Sequence, residues 1–404
     1  MILGESLLTE SHRCRYGARR REFLPFHLPE IHAEEIRAVV EVLKSGWLTS
    51  GERVREFENQ FGEYVAARHA VAVNSGTAAL HLALEAIGIQ EGDEVILPTM
   101  TFAATAEVVL YRKARPILVD CQPDTLNMNP EAFAAAITAN TKAVIPVHFG
   151  GQPCDMGRIL RVARAHQVKV IEDAAHALPA RYQGRMVGGI GDITCFSFYA
   201  TKTITTGEGG MATTENSDWV DRMRGLSLHG ISHDAWKRYS AEGSWYYEIL
   251  SPGYKYNLTD IAASLGIEQL KKCDAFFDSR TWIAEAYHEG FADLPEITRP
   301  VCKPDVQHAW HLYVIQLELE RLKIDRKQFI EELRKENIGS SVHFVPLHLH
   351  PYYRETFGYR RVDFPVASNL SERIISLPIY PKMTAADVDD VIGAVRAIVE
   401  RYRR

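Results

Sequence analysis

The chain is poor in cysteine, has no long apolar run and shows no excess of basic residues. Six cysteines are spread over 404 residues and none forms a CxxC pair, which favours free thiols in a reducing cytoplasm over a disulfide framework or a metal site. No apolar run reaches the roughly 18–20 residues that a membrane-spanning helix needs. The net charge of −6 gives no support for nucleic-acid binding, which favours a basic excess. We therefore expect neither a membrane nor a nucleic acid as partner.

The composition is that of a globular protein with two or three domains, since hydrophobic residues make up 46% and charged residues 24% of the chain. Residues 1–22 contain five arginines and no apolar stretch. They lack the pattern of a secretory signal and are expected to form a mobile N-terminal extension. No internal repeat is present.

Strand-like and helix-like patterns alternate from about residue 69 onward. Short β-branched runs predict strands at 69–73, 94–97, 116–120, 141–147 and 169–173, with helices between them. Such alternation with short connections predicts a mostly parallel sheet covered on both faces. Segments 192–198 and 209–214 leave no room for a helix and predict a hairpin that adds an antiparallel strand. The fold class is therefore α/β, with a large mixed sheet.

The pattern changes after about residue 270. A long helix is predicted near 278–293 and a strand at 310–319, and capping boxes start two later helices at Asp325 and Thr384. We expect a large domain over 23–270 and a smaller C-terminal α/β domain over 271–404. Ligand sites in open parallel sheets lie beyond the carboxyl ends of the strands, so the segments that follow strands are the ones of interest.

Three segments that follow strands carry reactive or anion-binding groups. Gly76 and Thr77 stand where a strand gives way to a helix, which suits an anion but equally suits a plain capped turn. Asp173 ends a buried strand with His176 one turn later, and the structural alternative is a capping Asp with a surface His. Lys202 lies among apolar and small residues, where a lysine becomes a nucleophilic amine, although most lysines are simply solvated. Together the three match the needs of pyridoxal 5'-phosphate for a phosphate site, a carboxylate and a lysine.

Seven motifs in order make the chain similar to a known family. They are SGWLTSG (45–51), SGTAAL (75–80), PTMTFAAT (98–105), EDAAH (172–176), FSF (196–198) with Lys202, TGEGG (206–210) and GYKYN (253–257). The sequence resembles the DegT/DnrJ/EryC1/StrS sugar aminotransferases over residues 23 to about 399. The resemblance implies a fold-type-I pyridoxal-phosphate enzyme that is an aminotransferase, with pyridoxamine 5'-phosphate as the second cofactor form.

The resemblance also implies roles for individual residues. Lys202 would bond to the cofactor's aldehyde and, once displaced, carry the proton; Asp173 would pair with the ring nitrogen; and His176 would approach the phenolic oxygen. The remaining cofactor contacts implied are Phe102 stacked on the ring, and Gly76, Thr77, Ala78 and Ser197 at the phosphate. Asn257 would reach the phosphate in the partner subunit, which makes a homodimer part of the active site.

The substrates implied are L-glutamate, which leaves as 2-oxoglutarate, and a nucleotide-linked 4-keto sugar aminated at C4. The C-terminal half looks most like the branch that acts on UDP-4-keto-pentose and makes 4-amino-4-deoxy-L-arabinose for lipid A, although that branch tends to have Trp where this chain has Phe102. A UDP-4-keto-6-deoxy-hexosamine and a dTDP- or GDP-4-keto-6-deoxy-hexose are the alternatives. Candidate substrate contacts are His229, Lys255, His308 and His343.

Two other functions compete with transamination. Relatives with His in place of the lysine are sugar dehydratases, and Lys202 counts against that activity. A regulatory protein that binds the cofactor without turnover is the alternative from another class. Such a protein need not keep Asp173, Ser197, Lys202 and Asn257 together.

Overall fold

The computed structural model describes residues 20–232 and 246–404. Residues 1–19 of the expected extension lie outside the described residues. The helices are α1 (Ala33–Ser45), α2 (Glu52–Val65), α3 (Gly76–Ala86), α4 (Ala103–Tyr111), α5 (Pro130–Ala135), α6 (Met156–Ala165), α7 (Ser217–Ser227), α8 (Asp260–Lys271), α9 (Cys273–Gly290), α10 (Arg326–Lys335), α11 (Pro351–Phe357), α12 (Pro365–Leu370) and α13 (Ala385–Tyr402). The strands are β1 (His69–Val73), β2 (Glu94–Pro98), β3 (Arg115–Val119), β4 (Thr141–Val144), β5 (Lys169–Asp173), β6 (Arg181–Tyr182), β7 (Arg185–Met186), β8 (Ile193–Ser197), β9 (Gly210–Thr214), β10 (Ile297–Thr298), β11 (Val306–Gln307), β12 (Tyr313–Leu317) and β13 (Ile374–Leu377).

The central sheet has seven strands in the order β1-β9-β8-β5-β4-β2-β3. Strands β3, β2, β4, β5 and β8 run parallel, and β9 runs antiparallel to both β8 and β1. The predicted mixed sheet with a β8–β9 hairpin is therefore confirmed. Because β9 lies between β8 and β1, it brings the end of β1 beside the end of β8.

Local signals set most of the element ends. Asn129 caps α5 ahead of Pro130, and the capping boxes at Asp325 and Thr384 form as predicted. Strand β4 is shorter than the predicted 141–147, because Pro146 has no N–H to donate to a neighbouring strand. The strand predicted at 310–319 begins only at Tyr313, after Trp310 adopts a φ of 48°.

A smaller sheet, β10-β12-β13, packs with α9, α10 and α13 around a core of its own. Leu24 from the start of the chain is buried in this core, and its N–H donates to the carbonyl of Asn337 at 2.8 Å. Helix α9 contributes Phe276 to the core of the large sheet and Ile283 to the small one. The division of the chain at residue 270 stays a prediction. None of the helices in the described ranges is both long enough and apolar enough to cross a bilayer.

Candidate active site

A cavity of about 380 Å³ opens at the carboxyl ends of β5 and β8. Its wall combines the central sheet with residues from the C-terminal part of the chain. Of the residues predicted to act in the site, those lining it are Gly76, Thr77, Phe102, Asp173, His176, Ser197, Lys202 and His343. Segments far apart in the sequence thus meet in one place. Across residues 20–232 and 246–404, no group of three or more His, Cys, Asp or Glu side chains is placed to hold a metal ion.

One side of the cavity is the N-terminus of α3, packed against the end of β8. A Cβ on Gly76 would lie 2.9 Å from Cβ of Ser197, so only glycine allows the two segments to approach this closely. A Cβ on Gly210 of β9 would clash with the carbonyl oxygen of Ser75. This close packing leaves the first turn of α3 directed at the cavity, where its N–H groups favour an anion.

Ala78 is the exception among the predicted phosphate contacts. Its N–H donates to Oγ of the capping residue Ser75 at 3.0 Å, and Ala78 does not line the cavity. The geometry therefore gives Thr77 and Ser197, and not Ala78, access to an anion.

Asp173 is a buried carboxylate at the end of β5. Oδ2 accepts a hydrogen bond from Oγ1 of Thr105 at 2.8 Å, and Oδ1 accepts one from the N–H of Ala175 at 3.2 Å. Because Thr105 gives its proton to Asp173, Thr101 must donate in the 2.7 Å contact between the two threonine hydroxyls. Burial raises the pKa of Asp173 despite these donors. A cation in the cavity would therefore stabilise the ionised carboxylate.

Lys202 lies in the loop between β8 and β9, with its amine at the cavity. Burial lowers the pKa of Lys202 to about 8, and the charge of Asp173 opposes this effect. An amine with a pKa near 8 is partly unprotonated at neutral pH and can attack a carbonyl group. The prediction of a desolvated lysine agrees with this environment, while its covalent role stays a prediction.

His176 is held in one tautomer. The N–H of Gly150 donates to Nδ1 of His176 at 3.3 Å, so the ring proton is on Nε2. Burial, followed by the charge of Lys202, keeps the pKa of His176 well below its ordinary value. The neutral ring can thus donate one hydrogen bond from Nε2.

Phe102 precedes α4 and does not pack in the protein core. Its ring is 62% exposed and faces the cavity, with Phe344 at a centroid distance of 6.0 Å. An exposed phenyl ring at a cavity wall is suited to stacking on a planar ligand.

The predicted substrate contacts separate into two groups. His343 lines the cavity, and its Nδ1 lies 2.9 Å from Oγ of Ser376; burial lowers its pKa to about 4. His308 is buried away from the cavity wall, where it stacks on Trp310 at 3.9 Å and accepts that residue's N–H at Nδ1. The structure therefore gives His308 a packing role within this chain.

His229, Lys255 and Asn257 do not line the cavity of their own chain. The N–H of His229 donates to the carbonyl of Tyr254 at 2.8 Å, and Nδ2 of Asn257 donates to Oγ of Ser50 at 2.8 Å. His229 and Lys255 are exposed. The three residues lie on the segments that pair with one another beside the end of β1.

Three cavity residues were not among those predicted to act in the site. Thr105 holds Asp173, His27 comes from the N-terminal segment, and His311 stands 4.5 Å from His176 between ring centroids. His27 and His311 reach the wall only through tertiary packing. The sole hint was that Thr105 closes the motif at 98–105.

The described residues fit pyridoxal phosphate. The close approach of Gly76 and Ser197 leaves helix N–H groups open to a phosphate. Buried Asp173 forms no ion pair among the described residues, and a protonated ring nitrogen would supply one. Lys202 stands on the same wall, and the volume is in the usual range for cofactor sites.

The model of the DegT/DnrJ/EryC1/StrS aminotransferase family matches residues 29–396. The uncharacterized protein MJ1066 of Methanocaldococcus jannaschii is 55% identical over 384 residues, which cover 95% of this chain and all of the relative. The spore coat polysaccharide biosynthesis protein SpsC of Bacillus subtilis is 52% identical over 383 residues, which cover 95% of this chain and 98% of SpsC.

Solved structures of similar proteins also include a sugar aminotransferase. Spr1654 from Streptococcus pneumoniae, described as a candidate sugar aminotransferase, superposes in its PMP-form with a TM-score of 0.88 at 36% identity, covering 94% of this chain and 99% of that chain. The PLP-form of the same protein superposes with a TM-score of 0.87. The structural similarity to both forms thus extends over 94% of this chain.

Proposed function

Because this chain belongs to the DegT/DnrJ/EryC1/StrS aminotransferase family, it is a sugar aminotransferase that uses pyridoxal phosphate, and we propose that it moves the amino group of L-glutamate to C4 of a nucleotide-linked 4-keto sugar. The sugar is destined for a polysaccharide, in keeping with the similarity to SpsC. The reaction is proposed to run in the cytoplasm, where the five described cysteines would stay as free thiols.

When bound, pyridoxal phosphate supplies an aldehyde that takes up amines and a ring that withdraws electrons. We assign the covalent attachment and the transfer of the proton to the amine of Lys202. Asp173 would keep the ring nitrogen protonated, and the N–H of Thr77 and the hydroxyl of Ser197 would bind the phosphate. His176 would donate from Nε2 to the phenolic oxygen, and Phe102 would cover one face of the ring.

A single observation supports this proposal most strongly. One cavity joins an amine whose pKa is lowered to about 8, a buried carboxylate whose pKa is raised, and the N-terminus of α3. Each group has a structural explanation when taken alone. A single ligand explains all three together. A phosphorylated, cationic aldehyde of this size needs an anion site, a carboxylate and a nucleophilic lysine in one cavity.

The sugar acceptor is proposed to be UDP-4-keto-pentose, with UDP-4-amino-4-deoxy-L-arabinose as the product, as in lipid A modification. Its support is sequence similarity in the C-terminal half, which provides His343 at the cavity wall. That branch tends to have Trp where this chain has Phe102. A UDP-4-keto-6-deoxy-hexosamine and dTDP- and GDP-4-keto sugars should therefore be tested together with UDP-4-keto-pentose.

We also propose that the active enzyme is a homodimer. Asn257 is held beside the end of β1 by its bond to Ser50 and does not line its own cavity. It would donate to the phosphate in the partner subunit, and His229 and Lys255 would contact substrate there.

The first experiment is the visible absorption spectrum of the purified protein before and after L-glutamate. We expect a yellow band that L-glutamate bleaches, and no such lysine-bound band in Lys202→Ala. A band that glutamate leaves unchanged would refute L-glutamate as donor. Unchanged transamination by Lys202→Ala without added amines would refute the role of Lys202.

The acceptor is then identified with the bleached enzyme. Each keto-sugar nucleotide is added in one portion, and the return of the yellow band measures transfer of the amine. Recovery with UDP-4-keto-pentose alone supports the proposed sugar, and recovery only with a hexosamine or a dTDP- or GDP-sugar replaces it.

Asn257→Ala tests the shared site. We expect weaker cofactor retention in a dimer of unchanged mass, measured by dialysis and light scattering. Unchanged cofactor affinity would mean that Asn257 does not touch the phosphate.

A further inference from the structure

Arg280 in α9 is a buried cation without an acidic partner. Its side chain is fully buried, and among the described residues it takes part in no ion pair. Burial lowers the pKa of Arg280 to about 10, so the guanidinium is still charged at neutral pH. A buried charge is costly unless hydrogen bonds hold it, which means that this arginine needs an explanation.

The guanidinium binds two separate segments of the cavity wall through their carbonyl groups. Nη1 donates to the carbonyl oxygens of Trp310 at 3.2 Å, His311 at 3.3 Å and Ile379 at 2.7 Å. His311 and Ile379 line the active-site cavity. One side chain therefore fixes the backbone just before β12 and just after β13.

A second cavity, of about 10 Å³, is bordered by Arg280, His27 and Lys202 and has room for roughly one water molecule. Nε and Nη2 of Arg280 and Nε2 of His27 find no hydrogen-bond partner among the residues that the structure describes. Burial lowers the pKa of His27 to about 3, so the ring is neutral, with one nitrogen that donates and one that accepts. Two donors of Arg280 and one imidazole nitrogen of His27 thus border a space for one water, which can accept from Arg280 and bond to His27.

We propose that Arg280 is a positioning residue for the aminotransferase reaction, which fixes the wall around Lys202 through the carbonyls of His311 and Ile379 and through one buried water shared with His27. The proposal rests on the proposed function, because it concerns the site in which Lys202 acts. Arg280 itself does not line the active-site cavity, and it acts through the residues that do.

A purely structural anchor is the competing explanation, and Arg396 provides the matched control. Its Nη1 donates to the carbonyl of Gly290 at 2.7 Å, at the end of the same helix α9, and its guanidinium also forms an ion pair with Asp293 just beyond that helix. Arg396 does not line the cavity. Arg396→Met therefore removes an attachment of α9 without touching the active-site wall.

The first measurement is amide hydrogen exchange on the cofactor-free protein. In Arg280→Met we expect roughly tenfold faster exchange in residues 308–312 and 377–381, and in Arg396→Met no change there. Arg280→Lys should restore most of the protection, because an ammonium can donate to the same carbonyls. Equal exchange of both segments in wild type and Arg280→Met would overturn the proposal.

The second measurement is the rate at which L-glutamate bleaches the loaded protein in a single turnover. We expect a loss of roughly tenfold or more in Arg280→Met and less than twofold in Arg396→Met. Faster exchange without a slower rate would reduce Arg280 to a structural anchor and overturn the proposal. If wild type itself fails to react, the proposed function fails, while the exchange data still decide whether Arg280 holds the wall. Should Arg280→Met not fold, Arg280→Lys and Arg280→Gln carry both measurements, with the larger loss expected in Gln.

Discussion

Strand β5 carries two neighbouring buried carboxylates, Glu172 and Asp173, which face opposite sides of the central sheet. Oε2 of Glu172 lies 3.0 Å from Nε2 of His148, and Oε1 accepts from the N–H of Gly191 and the hydroxyl of Thr194, both at 2.7 Å. Burial opposes ionisation of Glu172, but these hydrogen bonds prevail and lower its pKa.

Asp173 has fewer donors, and burial prevails over them and raises its pKa. The two residues have the same chemistry and similar burial, so the difference lies in how completely the protein supplies partners. Glu172 is satisfied by its own chain and stabilises the fold. Asp173 has only one hydrogen-bond donor for each carboxylate oxygen, and it lines the cavity. A ligand in the cavity can therefore supply the further partner that this carboxylate needs.

Asp173→Asn should show most clearly that Asp173 serves the reaction and Glu172 the fold. We expect kcat to fall by roughly 10²–10³, because an amide gives no charge to stabilise a ring cation. The cofactor-free variant should be at least as stable as wild type, since a costly buried charge is removed. Steady-state kinetics and urea unfolding check this, and a wild-type kcat would contradict the role of Asp173.

Glu172→Gln should show the opposite pattern. An amide cannot accept all three hydrogen bonds, so we expect a loss of about 1–3 kcal/mol in the free energy of unfolding. Because Glu172 does not line the cavity, kcat of the folded variant should stay within a few-fold of wild type. A large loss of kcat in Glu172→Gln with unchanged stability would mean that Glu172 also serves the reaction, which would contradict this prediction.

The pH dependence of stability in the cofactor-free protein should also differ in sign. The raised pKa of Asp173 stabilises the fold below the ordinary value of 3.8 and loses that contribution as the pH rises through the folded pKa. The lowered pKa of Glu172 stabilises the fold above 4.5, and this is lost as the pH falls through the folded pKa. Urea unfolding of wild type, Asp173→Asn and Glu172→Gln over a pH series measures both trends. If both substitutions changed the pH dependence of the unfolding free energy in the same direction, the predicted difference in sign would be wrong.

The smallest effect should appear at Lys202. Selective acylation of the cofactor-free protein should give a midpoint near pH 8 for this amine, since burial lowers its pKa to about 8. In Asp173→Asn the midpoint should fall slightly, because the charge of Asp173 raises the pKa of Lys202. Mass spectrometry of the Lys202 peptide measures the midpoint, with Lys327, which is exposed, as the internal control. A midpoint that rises would mean that Asp173 does not act on the amine.

The sequence predicted the fold well where the signals are local. Strand and helix alternation, the hairpin of β8 and β9 and the caps at Asn129, Asp325 and Thr384 all depend on short stretches. Strand ends were less accurate, because they depend on pairing. Val147, for example, is joined to Asp173 only by an isolated bridge after Pro146 interrupts the strand.

The candidate site was predictable where a residue ends a strand, as Asp173 does, or follows one, as Gly76 and Lys202 do. His308 and His311 show the limit of that reasoning. Both precede β12, but only His311 reaches the cavity, because Trp310 between them has a positive φ and changes the direction of the chain. Its φ of 48° is unusual for a bulky side chain and cannot be anticipated from neighbouring residues.

The insertion of β9 between β1 and β8 has a consequence during synthesis on the ribosome. The proposed anion site at Gly76 is complete only when Ser197 and Gly210 pack against this segment, and these residues are made more than a hundred positions later. Earlier nascent chains contain β1 and α3 but lack both the second wall of that site and, until residue 202, the lysine. With the proposed roles of Gly76 and Lys202, we expect cofactor capture to come late in translation, once the whole central sheet has emerged.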